Sequence, residues 1–231
     1  MQTDKHIPSW TFKKYLDGSI ITTTLVAALA AIATFKFPNF LTMIVLVVAL
    51  GIWLLVLYFF RDPKRDVIDN PGLVMGPCDG TVADITHLKE ELYLNAEVIR
   101  VGIFMSVLNV HVQRSPLAGE ISFVKHKPGK FLPAYSPEAA TENEYIAMVI
   151  KTAFGTLLVK QISGILARRC VNYAKPGDQL LIGQRFGLIK FGSRVELFLP
   201  PHADILVSVG DAVTGGLTSI AQMPETEDID E

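Results

Sequence analysis

Positions 19–60 read SIITTTLVAALAAIATFKFPNFLTMIVLVVALGIWLLVLYFF and contain one charged residue, Lys36. The run divides into a first apolar half at 19–35 and a second at 40–60, with Pro38 between them. A helix of about 20 apolar residues crosses the ~30 Å hydrocarbon core of a bilayer, so the second half is long enough and the first is at the short limit. Pro38 would break a continuous helix. The pattern predicts a membrane-anchoring helical hairpin, either transmembrane or re-entrant.

Two other interpretations of this run are weaker. A cleaved signal peptide is disfavoured because a second, longer apolar run follows, with no small-residue cleavage site before a polar start. Two buried helices of a soluble core are disfavoured because neither half carries a polar stripe. Basic residues flank both outer ends of the run, at Lys13, Lys14, Arg61, Lys64 and Arg65. The positive-inside bias therefore predicts a cytoplasmic N-terminus at 1–18 and, after the hairpin, a domain on the cytoplasmic side of the cell membrane.

Charge and cysteine content exclude several classes of protein. The 231 residues carry a formal net charge of -2, and the tail at 225–231 holds five of the acidic residues, so the rest of the chain is slightly basic. That bias is too small for a nucleic-acid-binding protein but suits the neighbourhood of an anionic membrane surface. Cys78 and Cys170 form neither a disulfide framework nor a metal-ligand spacing, so no metal is predicted.

The region after the hairpin is typical of β structure. Short runs rich in Val, Ile and Phe recur between turn residues, at 81–88, 97–106, 119–127, 145–152, 155–166, 186–191, 194–200 and 203–209. They predict a mainly β (α+β) domain with packed antiparallel sheets over 61–224, before the acidic tail. The Pro- and Gly-containing segment 127–144 is predicted to be a long loop of the kind that often carries function. The best helix candidate, 164–170, is equally compatible with a strand.

Three residue types with reactive side chains stand out, and each has an ordinary structural explanation. Gly192-Ser193 separates two β-rich runs in GQRFGLIKFGSRVELFLP (183–200), where a serine is more often a turn residue; a nucleophile elbow would need a strand–turn–helix context. Asp79 precedes a glycine, as in many turns between strands. His111 alternates with Val110 and Val112, so it points to the opposite face from them, and a lone strand histidine is usually structural. Spacing alone leaves both interpretations open.

A conjunction of segments resembles the phosphatidylserine decarboxylase family, in the short form that includes archaetidylserine decarboxylase-like proteins. FGSRVELFLP (191–200) resembles its processing site. Further likeness lies, in the same order as in the family, in GPCDGTV (76–82), IFMSVLNVHVQRSPLAGEI (103–121), KPGKF (127–131) with ENE (142–144), and VGDAVTGGLTSIA (209–221). The likeness covers roughly positions 61–223.

The resemblance implies a self-made cofactor. In this family the chain breaks itself between a glycine and a serine, here Gly192 and Ser193, and the serine becomes an N-terminal pyruvoyl group. The products would be a β subunit, 1–192, and an α subunit, 193–231. The pyruvoyl group would form a Schiff base with the serine amine of phosphatidylserine or archaetidylserine, and loss of CO₂ would give the corresponding ethanolamine lipid. The implied role is phospholipid biosynthesis. The resemblance implies that the reaction needs no metal and no dissociable cofactor.

The resemblance also implies roles for assisting groups. Asp79 resembles the family's aspartate, which orients the base during self-cleavage, and His111 becomes the preferred proton donor or base. Longer bacterial members carry a second histidine three residues later, where this chain has Arg114, so either His111 serves both reactions or another group is the first base. Cationic side chains are candidates to bind the lipid phosphate: Arg114, Lys125, Lys127 and Lys130.

Three rival functions remain open at this level. The first is a membrane-anchored β-barrel carrier or adaptor protein without catalysis, which would remain one chain. The second is a membrane serine hydrolase that uses Ser193 and His111. The third is a pyruvoyl decarboxylase of a free amino acid, for which a membrane hairpin would have no purpose. The sequence distinguishes neither diacyl from diether lipid tails nor a monomer from a homo-oligomer.

Overall fold

A computed structural model describes residues 18–68, 70–133, 136, 138–165, 169–189 and 193–224. The chain divides into two compact units, Met1–Asp62 and Pro63–Glu231. The predicted cytoplasmic N-terminus (apart from Gly18), the predicted acidic tail and Gly192 lie outside the described residues.

The first unit is a hairpin of two helices, α1 (Gly18–Lys36) and α2 (Phe40–Phe59). A capping box explains the restart after Pro38: the Asn39 side chain accepts from the Thr42 backbone N–H at 3.0 Å, and the Thr42 hydroxyl accepts from the Asn39 N–H at 3.2 Å. The helices are joined by a hydrogen bond of 2.9 Å from Trp53 Nε1 to Thr24 Oγ1. The predicted helical hairpin is confirmed, with ends within one residue of those expected.

Both helices expose most of their apolar side chains. Their mean hydropathies are 1.8 for α1 and 3.0 for α2, and both are long and apolar enough to cross a membrane. Phe35 and Phe40 are 89% and 83% exposed. Continuous exposed apolar surface of this extent marks a site of association with a membrane or a partner. Length and composition favour the membrane.

The second unit contains fourteen strands and one short helix among its described residues. In chain order they are β1 (Leu73–Met75), β2 (Gly80–Glu90), β3 (Ala96–Met105), β4 (Val112–Arg114), β5 (Gly119–Lys127), α3 (Ala139–Glu142), β6 (Tyr145–Thr152), β7 (Gly155–Ile162), β8 (Cys170–Asn172), β9 (Gln179–Leu180), β10 (Arg185–Ile189), β11 (Ser193–Leu199), β12 (Asp204–Ile205), β13 (Ala212–Val213) and β14 (Ser219–Gln222).

These strands form three sheets in which every ladder is antiparallel. The largest has the order β13-β2-β3-β11-β7-β6-β5-β9, and two three-stranded sheets have the orders β1-β14-β12 and β4-β10-β8. β11 is central in the large sheet, between β3 and β7, and all seven of its residues are buried. The mainly β domain with packed antiparallel sheets is therefore confirmed.

Two segments differ from the sequence-based prediction. Residues 203–209 form only the two-residue strand β12, because their partner β14 is short and Leu206 and Val209 remain more than half exposed. The predicted loop 127–144 contains the helical turn α3 and a parallel bridge between Lys130 and Asn143. In the helix candidate 164–170, the described residues are non-helical and Cys170 begins β8, while 166–168 lie outside the described part.

Candidate active site

Ser193 is the first residue of β11 and therefore lies at one end of a central strand of the large sheet. It pairs with Met105, the last residue of β3, and is fully buried. Its hydroxyl lies 3.3 Å from the Met105 sulfur. Strand alternation places Ser193 and Val195 on one face, and Val195 pairs with Gln161 of β7. The candidate reactive face of β11, the one that carries Ser193, therefore also carries Met105 and Gln161.

His111 immediately precedes β4 and is 2% exposed. Its Nδ1 lies 2.9 Å from the Asn109 carbonyl oxygen, which can only accept, so Nδ1 carries the proton and a neutral ring has its lone pair on Nε2. The His111 carbonyl in turn accepts from the Ile189 N–H at 3.4 Å. Ile189 ends β10, and the chain reaches Ser193 four positions later. His111 is thus beside the strand that leads into the serine.

Buried amides connect the serine and histidine segments. The Gln113 side-chain nitrogen donates to the His111 carbonyl at 2.8 Å and lies 3.8 Å from the Met105 sulfur that also contacts Ser193. The Gln161 amide donates to Gln113 Oε1 at 2.9 Å. Met105 and Gln113 therefore link Ser193 to His111: Met105 contacts Ser193, and Gln113, in β4 of the small sheet, contacts both Met105 and the His111 backbone. We did not predict Gln113 or Gln161; their polarity at inward strand positions was the available signal.

Asp79 is at the same end of the sheet as Ser193. Thr81 pairs with Phe104, and Phe104 pairs with Arg194, so the starts of β2 and β11 lie two strand spacings, ~10 Å, apart. The Asp79 carboxylate is bound by both terminal nitrogens of Arg65, at 2.6 and 2.8 Å, and accepts from the Gly215 N–H at 2.8 Å.

Arg65 was not predicted as part of this site. Its side chain is 5% exposed, and it also donates to the Gly215 carbonyl. The Asp-Gly turn interpretation is therefore incomplete, because the carboxylate of Asp79 is part of a buried, bidentate ion pair. The two charge-assisted hydrogen bonds from Arg65 fix the orientation of the Asp79 carboxylate.

Arg114 differs from our expectation that it binds the lipid headgroup. Its side chain is buried, and its guanidinium donates to the carbonyls of Gly183 at 3.2 Å and Pro63 at 3.1 Å. Burial of β4 in the small sheet directs the guanidinium to these backbone groups. Of the expected lysines, Lys130 is exposed and paired with Glu142 at 2.7 Å, which raises its pKa.

The two cysteine thiols are protected. Burial, and secondarily the charge of Asp79, raises the pKa of Cys78 well above its ordinary value. Burial also raises the pKa of Cys170, with a smaller contribution from Glu144. Raised thiol pKa values disfavour the reactive thiolate. Within the described ranges, no group of three His, Cys, Asp or Glu side chains could hold a metal ion.

The described part of the chain thus combines a buried serine and a buried histidine in a β domain with two apolar helices that are long enough to cross a membrane. The family model described as phosphatidylserine decarboxylase matches residues 52–221. The phosphatidylserine decarboxylase proenzymes of Amoebophilus asiaticus and Parabacteroides distasonis are each 43% identical to this chain. The first alignment covers 78% of this chain and 79% of the relative, and the second covers 74% and 79%.

The corresponding proenzyme of Carboxydothermus hydrogenoformans is 40% identical, over 74% of this chain and 81% of the relative. The chain therefore belongs to the phosphatidylserine decarboxylase family, which confirms the resemblance found in the sequence.

Proposed function

We propose that this chain is a pyruvoyl-dependent carboxy-lyase that converts phosphatidylserine, or archaetidylserine, to the corresponding ethanolamine phospholipid. Family membership supports the decarboxylation, and the relatives are named as proenzymes of phosphatidylserine decarboxylase. The observation that carries the proposal is the position of Ser193: fully buried, first in the central strand β11, and linked through Met105 to the histidine segment.

In the proposed self-cleavage, the hydroxyl of Ser193 is the nucleophile. Ser193 Oγ attacks the Gly192 carbonyl carbon, the C–N bond between the two residues breaks, and an ester remains. Removal of the Ser193 α-proton then expels the Gly192 carboxylate and leaves a double bond at residue 193. Tautomerisation and hydrolysis release ammonia and give the pyruvoyl terminus. Burial of Ser193 excludes water from the earlier steps, in which hydrolysis would compete.

The surroundings of Ser193 fit a pyruvoyl group. The methyl that replaces the hydroxymethyl group would face the Met105 thioether, which now lies 3.3 Å from the Ser193 oxygen. When formed, the group supplies a ketone that binds the substrate amine and withdraws the electrons left by CO₂. His111 is proposed to hold or deliver the proton at its Nε2, since imidazole titrates near neutral pH. Asp79, whose carboxylate is fixed by Arg65, is proposed to orient the base that acts in self-cleavage.

Cleavage would leave β11, the first strand of the proposed α subunit (193–231), inside the large sheet. β11 keeps its ladders to β3 and to β7, both of which belong to the proposed β subunit, 1–192. The hairpin, proposed as the membrane anchor over 19–60, would keep the domain at 61–224 on the cytoplasmic side with its phospholipid substrate.

Decarboxylation is tested with phosphatidylserine labelled in its serine carboxylate and presented in mixed micelles to the purified full-length chain. The wild-type chain should release labelled CO₂, and the Ser193→Ala variant should release none. Parallel assays with diacyl and diether substrates identify the lipid tails. Labelled CO₂ from the Ser193→Ala variant, or none from the wild-type chain on either lipid, would overturn the proposal.

A further inference from the structure

Arg194, the second residue after the proposed cleavage site, fixes the start of β11 from the sheet face opposite Ser193. Arg194 follows Ser193 and, by strand alternation, points away from Met105 and the reactive face. Its Nη2 lies 2.6 Å from an Asp84 carboxylate oxygen, and its Nε lies 3.0 Å from a Glu196 carboxylate oxygen. Arg194 is 9% exposed and Glu196 is 1% exposed. Both contacts are charge-assisted hydrogen bonds; the one to Glu196 is buried, and the shorter one reaches Asp84, whose side chain is 32% exposed.

Gly102 makes room for the Arg194 guanidinium. Gly102 of β3 pairs with Asp84 on one side and with Glu196 on the other. A β-carbon on Gly102 would lie 2.7 Å from Arg194 Cζ, still closer to Arg194 Nη2, and 2.9 Å from Asp84 Oδ1. The guanidinium therefore lies directly over the β3 backbone, between the two carboxylates. It ties the start of β11 to β2 across the intervening strand.

Arg100 provides an internal comparison. It contacts the same two carboxylates, Asp84 at 3.1 Å and Glu196 at 3.8 Å. Arg100 pairs with Phe198, however, at the opposite end of β11 from Ser193. Replacement of Arg100 or Arg194 removes a cation from the same cluster, but only Arg194 is bonded directly to residue 193.

We propose that Arg194 is a positioning residue for both self-cleavage and the pyruvoyl group, an inference that rests on the proposed function above. The first residue of a strand has the fewest constraints, and after cleavage residue 193 becomes a chain end, where fraying is easiest. Two hydrogen bonds on Arg194 hold the adjacent position from the face opposite the chemistry. Ser193 Oγ stays in attacking position before cleavage, and the new terminus stays in register afterwards. A displacement of about 1 Å is enough to slow such reactions strongly.

The test compares Arg194→Met with the matched control Arg100→Met. Each proenzyme is made by cell-free translation with lipid vesicles, and the first-order rate of appearance of fragment 193–231 is followed by mass spectrometry. Thermal midpoints are measured in a Ser193→Ala background, which stays uncleaved. We expect Arg194→Met to slow cleavage at least about tenfold. This is the rate ratio that corresponds to the free energy of about one hydrogen bond to a charged group. Arg100→Met should lower the midpoint similarly and change the cleavage rate less than about twofold.

Gly102→Ala is the second variant, because it displaces the Arg194 guanidinium and retains every charge. It should slow cleavage, and Arg194→Lys should recover part of the rate lost in Arg194→Met. In material that has been cleaved, kcat should fall while KM stays near the wild-type value. The inference is overturned if Arg194→Met slows cleavage no more than Arg100→Met does at a similar loss of thermal midpoint. It is also overturned if Gly102→Ala cleaves at the wild-type rate. Failure of the wild-type chain to cleave would instead overturn the proposed function.

Discussion

Replacing Arg65 by methionine should destabilise the β domain more than any exposed charge substitution. Arg65 binds both oxygens of Asp79, at 2.6 and 2.8 Å, and also reaches the Gly215 carbonyl. The two side chains are only 5% and 14% exposed. In the Arg65→Met variant the Asp79 carboxylate would keep its hydrogen bond from the Gly215 N–H but lose the cation at position 65.

The expected magnitude follows from that burial. Removing one partner of a buried ion pair costs about 3–5 kcal/mol, and the 14% exposure of Asp79 places this case at the lower end, about 3 kcal/mol. With a urea dependence of about 2 kcal/mol/M for a domain of this size, the unfolding midpoint should fall by about 1.5 M. A double variant, Arg65→Met with Asp79→Leu, replaces both charges by apolar groups and should recover most of the loss.

The assay is urea unfolding of the full-length chain in detergent, followed by near-ultraviolet circular dichroism of the domain tyrosines. A Ser193→Ala background keeps every variant a single chain. Lys130→Met is the matched control, because Lys130 also pairs with a carboxylate but is 68% exposed and should give no measurable shift. A midpoint shift below about 0.5 M for Arg65→Met, or a double variant no better than the single, would refute the argument from burial.

Three further outcomes are expected. His111→Asn keeps an amide donor at the Nδ1 position toward the Asn109 carbonyl but lacks a titratable lone pair, so CO₂ release by cleaved enzyme should fall at least about 100-fold with the fold intact, and full turnover would remove His111 from the site. Cys78 and Cys170 should react with iodoacetamide much faster in urea than in the native chain, because burial raises both thiol pKa values; equal rates would contradict this. Burial lowers the pKa of Lys160, so the unfolded chain retains that proton to higher pH and folding gains stability as pH rises toward about 10.5. Lys160→Met should lack this gain in urea midpoints measured between about pH 8 and about pH 10, and an identical pH dependence in both proteins would count against it.

Local patterns were sufficient for most of the large sheet. The predicted strands 119–127 and 145–152 coincide with β5 and β6, because apolar runs between turn residues match the burial that antiparallel pairing imposes. The segment 203–209 has the same composition, but a strand also needs a partner of equal length. β14 offers only a short ladder, and that property of the fold is not written in residues 203–209.

The candidate site was only partly predictable for the same reason. Ser193, His111 and Asp79 could be singled out from motifs, but some of the groups around them come from far along the chain, such as Met105 beside Ser193 and Gly215 beside Asp79. Arg65 bonds to Gly215, 150 positions away, and no periodicity relates two such positions. Arg114 shows the opposite error: its charge suggested a phosphate ligand, while burial in β4 directs it to backbone carbonyls.

The mass of the chain as it leaves the cell tests the central proposal most directly. Protein purified under denaturing conditions should consist of two species, 1–192 and 193–231, with the smaller one lighter than the unmodified peptide by one ammonia and reactive toward hydrazines. Material that remains a single unbroken chain, and still converts phosphatidylserine, would contradict the account.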